Sequence, residues 1–403
     1  MRTPPRPLWP STPAEGAREL ARVGADGPWP GPTGPAPRDG RPRPPGACPV
    51  ALKVPADFPA SLVERFRTDP FQVRGGAGGW ILFGPLNGLE EGLAREAGTG
   101  EPIAAEALRA LRCGTGRALP PAWVTAAGPL ALTGPTRLMA VVNVTPDSFY
   151  EGSRQRTRER VEHVLERALE GGADLVDVGG ESTRPGAEPV PLEEELARVM
   201  PAVELAVRTG LPISIDTRRA EVARAALASG AAIVNDVSAG LDDPALIDTV
   251  AAAGAGLVLM HRRGVSADMQ EDPRYDDLVG EVTAFLAERA CAAVARGVAP
   301  ERIALDPGLG FGKRRRHNFE LYRRMAELHA LGYPLLVGPS RKRHTSGPGD
   351  VPAGERLMGT AAACALLAWQ GVQVLRVHDV GEMRRVLETT DEIRGAIGED
   401  LLS

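Results

Sequence analysis

From residue 136 onward, eight short apolar runs alternate with longer amphipathic or alanine-rich stretches. The runs have the length of β-strands and occupy residues 138–144, 175–179, 213–216, 233–237, 256–261, 303–306, 334–338 and 374–378. Helical segments follow them near 155–171, 192–209, 219–229, 243–253, 276–296, 317–331, 355–370 and 381–396. Apolar strands that alternate with helices are typical of a parallel sheet covered by helices. Eight such units predict an α/β fold, a (β/α)8 TIM barrel over residues 136–398. A doubly wound open sheet is the second interpretation, although no G-x-G-x-x-G turn follows the first run.

The chain before the barrel falls into two parts. Residues 1–50 are dominated by Pro, Gly and Arg, a composition that predicts a disordered tail without a packed core. Residues 51–135 have more structure and predict a small α/β accessory region of unknown role. Its signals are a helix over SLVERFR, a strand over GGWILFGPL, and helical segments around 88–96 and 102–112. This region could cap the barrel, mediate assembly or be a degenerate accessory domain.

Composition and charge exclude several classes of protein. The formal net charge of −5 does not fit a nucleic-acid-binding protein, which is usually basic. No apolar run is long enough to span a membrane, and the N-terminus lacks the apolar core of a secretory signal. The four cysteines are far apart and predict neither a zinc site nor a disulfide framework: Cys48, Cys113, Cys291 and Cys364. We therefore expect a cytoplasmic protein with no nucleic-acid or membrane partner.

Polar residues end the apolar runs of the predicted barrel, where TIM-barrel enzymes build their active sites. Asp216, Asn235 and Asp306 lie at or near the ends of apolar strands, where burial without partners would cost about 1–3 kcal/mol each. Carboxylate and amide groups together suit a flat heterocycle with N–H donors, such as a pterin or a purine. By contrast, Asp236 and Asp379 fit the simpler interpretation of helix caps, and His261 that of a satisfied histidine at a strand end.

Cations gather at the same predicted edge. Lys342, Arg376 and His378 would form a cluster suited to a phosphate group. The segment GLGFGK is only weakly similar to a phosphate-binding loop, and its Phe311 is placed to close over an aromatic substrate. Lysine is scarce, occurring at Lys53, Lys313 and Lys342, which favours a chemical requirement for the lysines that this arginine-rich composition retains.

Eight motifs, in order, closely resemble those of the dihydropteroate synthases, a family of pterin-binding barrels. They are NVTPDSF, GGESTRPGA, SIDT, IVNDVSAG, LMH, LDPGLGFGK, GPSRK and RVHDV, and the resemblance covers residues 136–398. It implies a transferase of folate biosynthesis that joins 4-aminobenzoate to 6-hydroxymethyl-7,8-dihydropterin diphosphate, giving 7,8-dihydropteroate and pyrophosphate. It also implies Mg²⁺ as a cofactor and a homodimer.

The resemblance also implies roles for residues of this chain. Asn143 would bind the metal, with Arg376 and His378 at the diphosphate and Phe311 at the aminobenzoate ring. The pterin pocket would consist of Asp216, Asn235, Val237, Met260, Asp306, Gly338 and Lys342. Two mobile loops would contribute Asp147, Ser148, Phe149, Thr183, Arg184 and Pro185. The catalytic residues would be Asp306, Lys342, Arg184 and Asp147, and the second loop would fold over the site to exclude water.

Two other functions stay open for the barrel. A pterin-dependent methyltransferase shares the GESTRPG-like loop, but it would not need the cationic cluster of Lys342, Arg376 and His378. A non-catalytic pterin-binding paralogue would keep the pocket and lose turnover. It is suggested by residues 343–350, RHTSGPGD, which depart from the apolar continuation typical of the family.

Overall fold

A computed structural model describes most of the chain and gives the positions of the predicted elements. The described residues are 4–8, 19, 49–67, 71–76, 79–99, 101–114, 119–144, 154–181, 190–264, 269–347, 349 and 351–400. Among them, no helix is both long enough and apolar enough to cross a membrane.

The N-terminal region contains an antiparallel sheet with strand order β1-β2-β4-β3 and three helices. The strands are β1 Arg6–Leu8, β2 Pro49–Val54, β3 Gln72–Gly76 and β4 Gly79–Pro85. The helices are α1 Ala60–Arg65, α2 Leu86–Gly98 and α3 Pro102–Gly114. They enclose a separate apolar core that includes Leu52, Phe58, Leu82, Leu93 and Leu111. The predicted strand over 78–86 and the helices over 61–67, 88–96 and 102–112 are therefore present.

The predicted disorder of residues 1–50 is wrong for part of that stretch. Strand β1 pairs with β2, with Pro7 opposite Leu52, and the side chains of Arg6 and Glu19 are buried. Composition does not predict that these residues are ordered, because the residues that pair with β1 and Arg6 lie in other parts of the sequence. Most of the rest of 1–50 lies outside the described residues.

Eight parallel strands form the second sheet, in the order β12-β11-β10-β9-β8-β7-β14-β13. A parallel bridge between Leu305 and Leu335 joins its two ends, so the sheet closes into the predicted (β/α)8 barrel. The strands are β7 Arg137–Asn143, β8 Leu175–Gly179, β9 Ile213–Asp216, β10 Ile233–Asp236, β11 Gly256–Met260, β12 Ile303–Asp306, β13 Leu336–Val337 and β14 Val374–Val377.

Helices cover the outside of the barrel and pack on outward-facing residues such as Val178, Val234 and Leu259. They are α4 Arg154–Glu170, α5 Leu192–Val207, α6 Ala220–Ala228, α7 Ala245–Ala253, α8 Leu278–Ala295, α9 Arg315–Arg324, α10 Leu357–Trp369 and α11 Val380–Asp400. The helix predicted over 317–331 is divided, because α9 is followed by tighter 3-10 turns over Met325–Leu331.

A hairpin closes the end of the barrel where the strands begin. It consists of β5 Ala122–Thr125 and β6 Gly128–Ala131. Trp123 is fully buried against inward-facing residues that include Leu175 and Val258, and its Nε1 donates to the carbonyl of Arg302 at 2.8 Å. The barrel unit therefore begins before residue 136, and the predicted boundary at 135 places this hairpin in the wrong unit.

Replacement of Trp123 by Ala should destabilise the protein by about 3–5 kcal/mol, because it leaves a large cavity at the closed end of the barrel. The free energy of unfolding can be measured by urea denaturation. The control is Val294→Ala on α8, where the side chain is partly exposed, and the expected change is within about 0.5 kcal/mol. A loss below about 1 kcal/mol for Trp123→Ala would show that the hairpin does not close the core.

Candidate active site

Strand periodicity brings the predicted polar residues to one mouth of the barrel. Alternate residues of a barrel strand face the interior. Leu175, Ile233 and Val374 lie in the apolar layer around Trp123, at the closed end. Residues two positions further along the same strands face inward at the opposite end: Asp177, Asn235 and Arg376. The same alternation gives inward positions to Asn143, Asp216, Met260 and Asp306.

Arg376 is the centre of a hydrogen-bonded cluster at this mouth. Its Nε donates to Oδ2 of Asp177 at 2.5 Å, and its Nη2 donates to Oδ2 of Asp216 at 3.0 Å. Asn235 Nδ2 also donates to Asp177 Oδ2, at 3.2 Å. The structure thus brings together three predicted site residues, Asp216, Asn235 and Arg376. It pairs the arginine with two carboxylates, which fix the position of the guanidinium at the mouth.

Asp177 was missed by the sequence analysis although it joins Arg376 to Asn235. Its side chain is 0% exposed, and its Oδ1 has no hydrogen-bond partner among the described residues. The sequence contained a signal, since Asp177 is a lone carboxylate within the apolar run LVDVG. Its spacing of two from Leu175 would have indicated an inward-facing position.

Burial and neighbouring charges shift the pKa values of the carboxyl groups in this site. Burial raises the pKa of Asp216 to about 7, against the opposing effect of Arg376. Burial also raises the pKa of Asp306, and there the opposing cation is Lys342. Shifts of this kind toward neutral pH are concentrated at functional sites.

Lys342 follows β13 and lies between the glycine-rich segment and Arg376. Burial lowers its pKa to about 8, although the carboxylate of Asp306 favours the charged form. Its Nζ lies 4.8 Å from the centroid of the Phe311 ring, and it donates to the carbonyl of Leu309 at 2.5 Å. At Gly338, a Cβ would lie 3.8 Å from Arg376 Cβ and 3.9 Å from Lys342 Nζ. The absence of a side chain at Gly338 therefore leaves space beside both cations.

The segment 307–313 that carries Phe311 is held by its neighbours. Asp306 Oδ1 accepts from the backbone N–H of Gly308 at 2.7 Å. Gly308 has a φ of +65°, and a Cβ there would lie 1.9 Å from the carbonyl oxygen of His261. Glycine at this position therefore permits both the turn and the close approach of the two backbones.

Lys313 fixes the same segment from inside. Its buried Nζ donates to the carbonyls of Gly308 and Phe311, both at 3.0 Å, and lies 2.8 Å from His261 Nδ1. Burial lowers the pKa of His261 well below its usual value, and the neighbouring Lys313 adds to this effect. Lys313 therefore supports the backbone around Phe311, and His261 is a satisfied histidine as the simpler interpretation expects.

The other described site residues surround this cluster. Asn143 is exposed at the end of β7, beside Gly179 of β8, whereas Val237 and Met260 are buried. His378 is oriented by Ser340, whose Oγ lies 3.0 Å from its Nδ1. The remaining predicted site residues lie outside the described residues: Asp147, Ser148, Phe149, Thr183, Arg184 and Pro185.

Asp236 and Arg262 have local structural roles, and Asp236 does not cap a helix as the sequence predicts, because the next helix begins only at Ala245. Asp236 Oδ1 accepts from the N–H and the hydroxyl of Ser238, both at 2.7 Å, and therefore stabilises the loop after β10. Arg262, which belongs to the basic stretch Met260-His261-Arg262-Arg263, pairs with Asp242. Neither arrangement points to a ligand.

Comparison with known proteins identifies this arrangement. A family profile described as pterin binding enzyme matches residues 139–378. A dihydropteroate synthase from Synechocystis sp. is 43% identical over 260 residues, which cover 64% of this chain and 90% of the relative. The structure of Xanthomonas albilineans dihydropteroate synthase with 4-aminobenzoic acid is 44% identical, with a TM-score of 0.63, and covers 68% of this chain and 98% of that one.

A third similar structure is Burkholderia cenocepacia dihydropteroate synthase complexed with 7,8-dihydropteroate. It is 39% identical, has a TM-score of 0.63, and covers 70% of this chain and 99% of the other. The matched region is the barrel, including the strands that carry Asp177, Asp216 and Arg376. The chain belongs to the pterin-binding enzymes, in the dihydropteroate synthase family.

Proposed function

We propose that this chain condenses 6-hydroxymethyl-7,8-dihydropterin diphosphate with 4-aminobenzoate, giving 7,8-dihydropteroate and pyrophosphate. The observation that carries the proposal is the inward-facing cluster in which Arg376 joins Asp177 to Asp216 at the open end of the barrel. The relatives bear the name of this activity, and two similar structures contain 4-aminobenzoic acid and 7,8-dihydropteroate.

The pterin is assigned to the inward-facing acidic and amide groups. Asp216 and Asp306 would accept hydrogen bonds from pterin N–H groups, and Asn235 is oriented for the same ring because Asp177 holds its Nδ2. Lys342 would donate to the ring from beside Gly338, which has no side chain between Lys342 and Arg376. The buried side chains of Met260 and Val237 would form apolar walls of the pterin pocket.

Arg376 and His378 would bind the diphosphate and stabilise it as it leaves. Two nitrogens of Arg376 are held by Asp177 and Asp216, while its Nη1 has no hydrogen-bond partner in the described part of the chain. The C–O bond to the exocyclic CH₂ breaks, and its electron pair departs with pyrophosphate. The electron-rich pterin and the nearby carboxylates favour the positive charge that remains on the CH₂ group.

The amine of 4-aminobenzoate then forms the new C–N bond with its lone pair and releases one proton to pyrophosphate or water. An aromatic amine is uncharged at neutral pH, so it requires positioning more than deprotonation. Phe311 would position the ring, since Asp306, Lys313 and Lys342 hold the segment around it. Arg184 and Asp147, in the two loops outside the described residues, stay predicted catalytic residues.

We extend the proposal to Mg²⁺ at Asn143. Its side chain is exposed at the mouth, and a Cβ at Gly179 would lie 3.7 Å from its Oδ1. Among the described residues, no three His, Cys, Asp or Glu side chains cluster in a way that could hold a metal ion. A single amide oxygen at the mouth fits Mg²⁺, because this ion keeps several of its waters and takes its other ligands from substrate phosphates. When bound, the ion would neutralise part of the charge on the leaving diphosphate.

Pyrophosphate release by the purified protein tests the proposal directly. The protein is supplied with the pterin diphosphate, 4-aminobenzoate and Mg²⁺, and each component is omitted in turn. We expect release to require both substrates and Mg²⁺, with dihydropteroate forming in equal amount. Saturable pterin binding without release would instead identify a non-catalytic paralogue.

The described part of the unusual stretch 343–350 argues against that paralogue. The N–H and the hydroxyl of Thr345 donate to the carbonyl of Lys342 at 2.9 and 2.8 Å, and His344 Nε2 lies 3.0 Å from the Tyr322 hydroxyl. The stretch therefore forms an ordered turn directly after Lys342, whose Nζ is bonded to the Leu309 carbonyl. A methyltransferase would have no need for the adjacent cations Lys342 and Arg376.

An apolar surface on α10 and α11 supports the predicted homodimer. Met358 is 76% exposed, Leu366 56%, Trp369 48%, and Ile393 on the adjacent α11 51%. Such patches commonly mark protein interfaces. The variant Leu366→Glu should convert a dimer into a monomer in light scattering at micromolar concentration, while Val294→Glu on α8 should leave the mass unchanged. A wild-type protein that is monomeric would contradict the homodimer.

A further inference from the structure

A buried network of charges joins the N-terminal region to the barrel. It contains three cations and three carboxylates: Arg6, Lys53, Arg324, Glu19, Asp277 and Glu327. Arg324 also pairs with the partly exposed Glu320. Arg6 on β1, Lys53 on β2 and Glu19 come from the N-terminal region, and the other three come from the barrel. Lys53 is one of the few lysines that this arginine-rich chain retains.

Two cations of the N-terminal region converge on one carboxylate of the barrel. Arg6 Nη2 and Lys53 Nζ donate to Asp277 Oδ2 at 3.1 and 3.3 Å. Arg6 Nε also donates to Glu327 Oε2 at 3.1 Å, and the Arg6 side chain is 0% exposed. The position of Asp277 therefore depends on residues that lie more than two hundred positions away in the sequence.

Asp277 marks the beginning of α8 and the end of the segment that supports Phe311. Its Oδ1 accepts from the backbone N–H of Gly280 at 3.0 Å, which caps the helix. Just before it, the Tyr275 hydroxyl donates to the carbonyl of Gly312 at 2.8 Å, and Gln270 Nε2 donates to the carbonyl of Gly310 at 2.5 Å. These two bonds hold the backbone on either side of Phe311.

We propose that Arg6 and Lys53 are positioning residues for the 4-aminobenzoate side of the active site. They act through Asp277 and the segment 269–277, which holds the backbone that carries Phe311. The N-terminal region is then a part of the synthase that sets the aminobenzoate site. This inference rests on the proposed function, because that function assigns the aminobenzoate to Phe311.

The contacts predict which kinetic constant should change. On the pterin and diphosphate side, Asp177, Asp216 and Arg376 belong to β8, β9 and β14, whereas Asp306 and Lys342 border the segment that carries Phe311. None of these three strands pairs with β1 or β2, which carry Arg6 and Lys53. A loosened Asp277 should therefore weaken aminobenzoate binding much more than pterin binding.

The test uses the full-length variant Arg6→Gln. We expect KM for 4-aminobenzoate to rise about tenfold, while kcat and KM for the pterin diphosphate change less than about twofold. Hydrogen exchange supplies a readout besides activity. The amides of Gly310 and Phe311 are hydrogen-bonded to Asn318 Oδ1 and to the Gly308 carbonyl, and their exchange should accelerate about tenfold.

Two further variants keep the test decisive if Arg6→Gln folds poorly. Tyr275→Phe removes one hydroxyl and leaves the charge network complete, so it should raise the same KM and the same exchange rates. Arg112→Gln on α3 is the matched control, because Arg112 is a half-exposed arginine that pairs with Glu90 within the N-terminal region. It should change neither quantity.

The outcomes separate this proposal from the proposed function. Unchanged KM and unchanged exchange in both Arg6→Gln and Tyr275→Phe would overturn it and leave the network a purely structural clamp. If the wild-type protein releases no pyrophosphate, the proposed function fails. Exchange at Gly310 and Phe311 would then still decide whether Arg6 controls that backbone.

Discussion

Replacement of Asp177 by Asn should lower kcat/KM for the pterin diphosphate by about 10²- to 10³-fold. Asp177 Oδ2 accepts from both Arg376 and Asn235, and an amide that keeps its oxygen there carries no negative charge for Arg376 and places its NH2 group at the buried Oδ1 position, which has no partner among the described residues. Loss of one partner of a buried charge pair costs about 2–5 kcal/mol, and each 1.4 kcal/mol is a factor of ten. Steady-state pyrophosphate release at varied pterin diphosphate measures the effect.

Asp174→Asn is the matched control for this prediction. Asp174 lies just before β8, at the opposite end from the site, where it pairs with Arg137 at 3.0 Å and Arg384 at 2.5 Å. Its replacement should lower the melting temperature and leave kcat/KM within about threefold of the wild type. An Asp177→Asn enzyme with activity equally close to the wild type would exclude Asp177 from the site.

Asp177 also shows which part of the site could be predicted from sequence. The strands of the barrel were predictable because each is an apolar run of definite length, and the run 175–179 is β8 itself. The bonds of Arg376 to Asp177 and Asp216 join residues 199 and 160 positions apart. Such pairing depends on barrel register and closure, which no local pattern contains.

The N-terminal region could be predicted only in part, for a similar reason. Its helices have local amphipathic patterns, but β1 is three residues long and is ordered by pairing with β2. The sequence of the hairpin does not indicate that it closes the barrel. Trp123 fits an ordinary strand, and its packing partners Leu175 and Val258 are distant in the sequence. Both errors arise where a short segment takes its structure from distant partners.

Replacement of Lys342 by Met should lower kcat/KM for the pterin diphosphate by at least about 10²-fold, because it removes the cation that Asp306 faces inside the site. The wild-type pH profile should have two limbs. Lys342 is protonated below its pKa of about 8, and Asp216 is charged above its pKa of about 7. The form with both charges is therefore most abundant between these values, and kcat/KM should fall on either side.

Lys342→Arg assigns the alkaline limb of that profile. Arginine keeps its proton throughout the accessible range, so the variant should lose the fall in kcat/KM above about pH 8 while it retains the acidic limb. Asp216→Asn should do the reverse, because an amide does not titrate. The measurement is kcat/KM from about pH 5.5 to 9.5 at constant ionic strength. An alkaline limb that persists in Lys342→Arg would belong to another group, and Lys342 would then bind substrate without controlling the pH dependence.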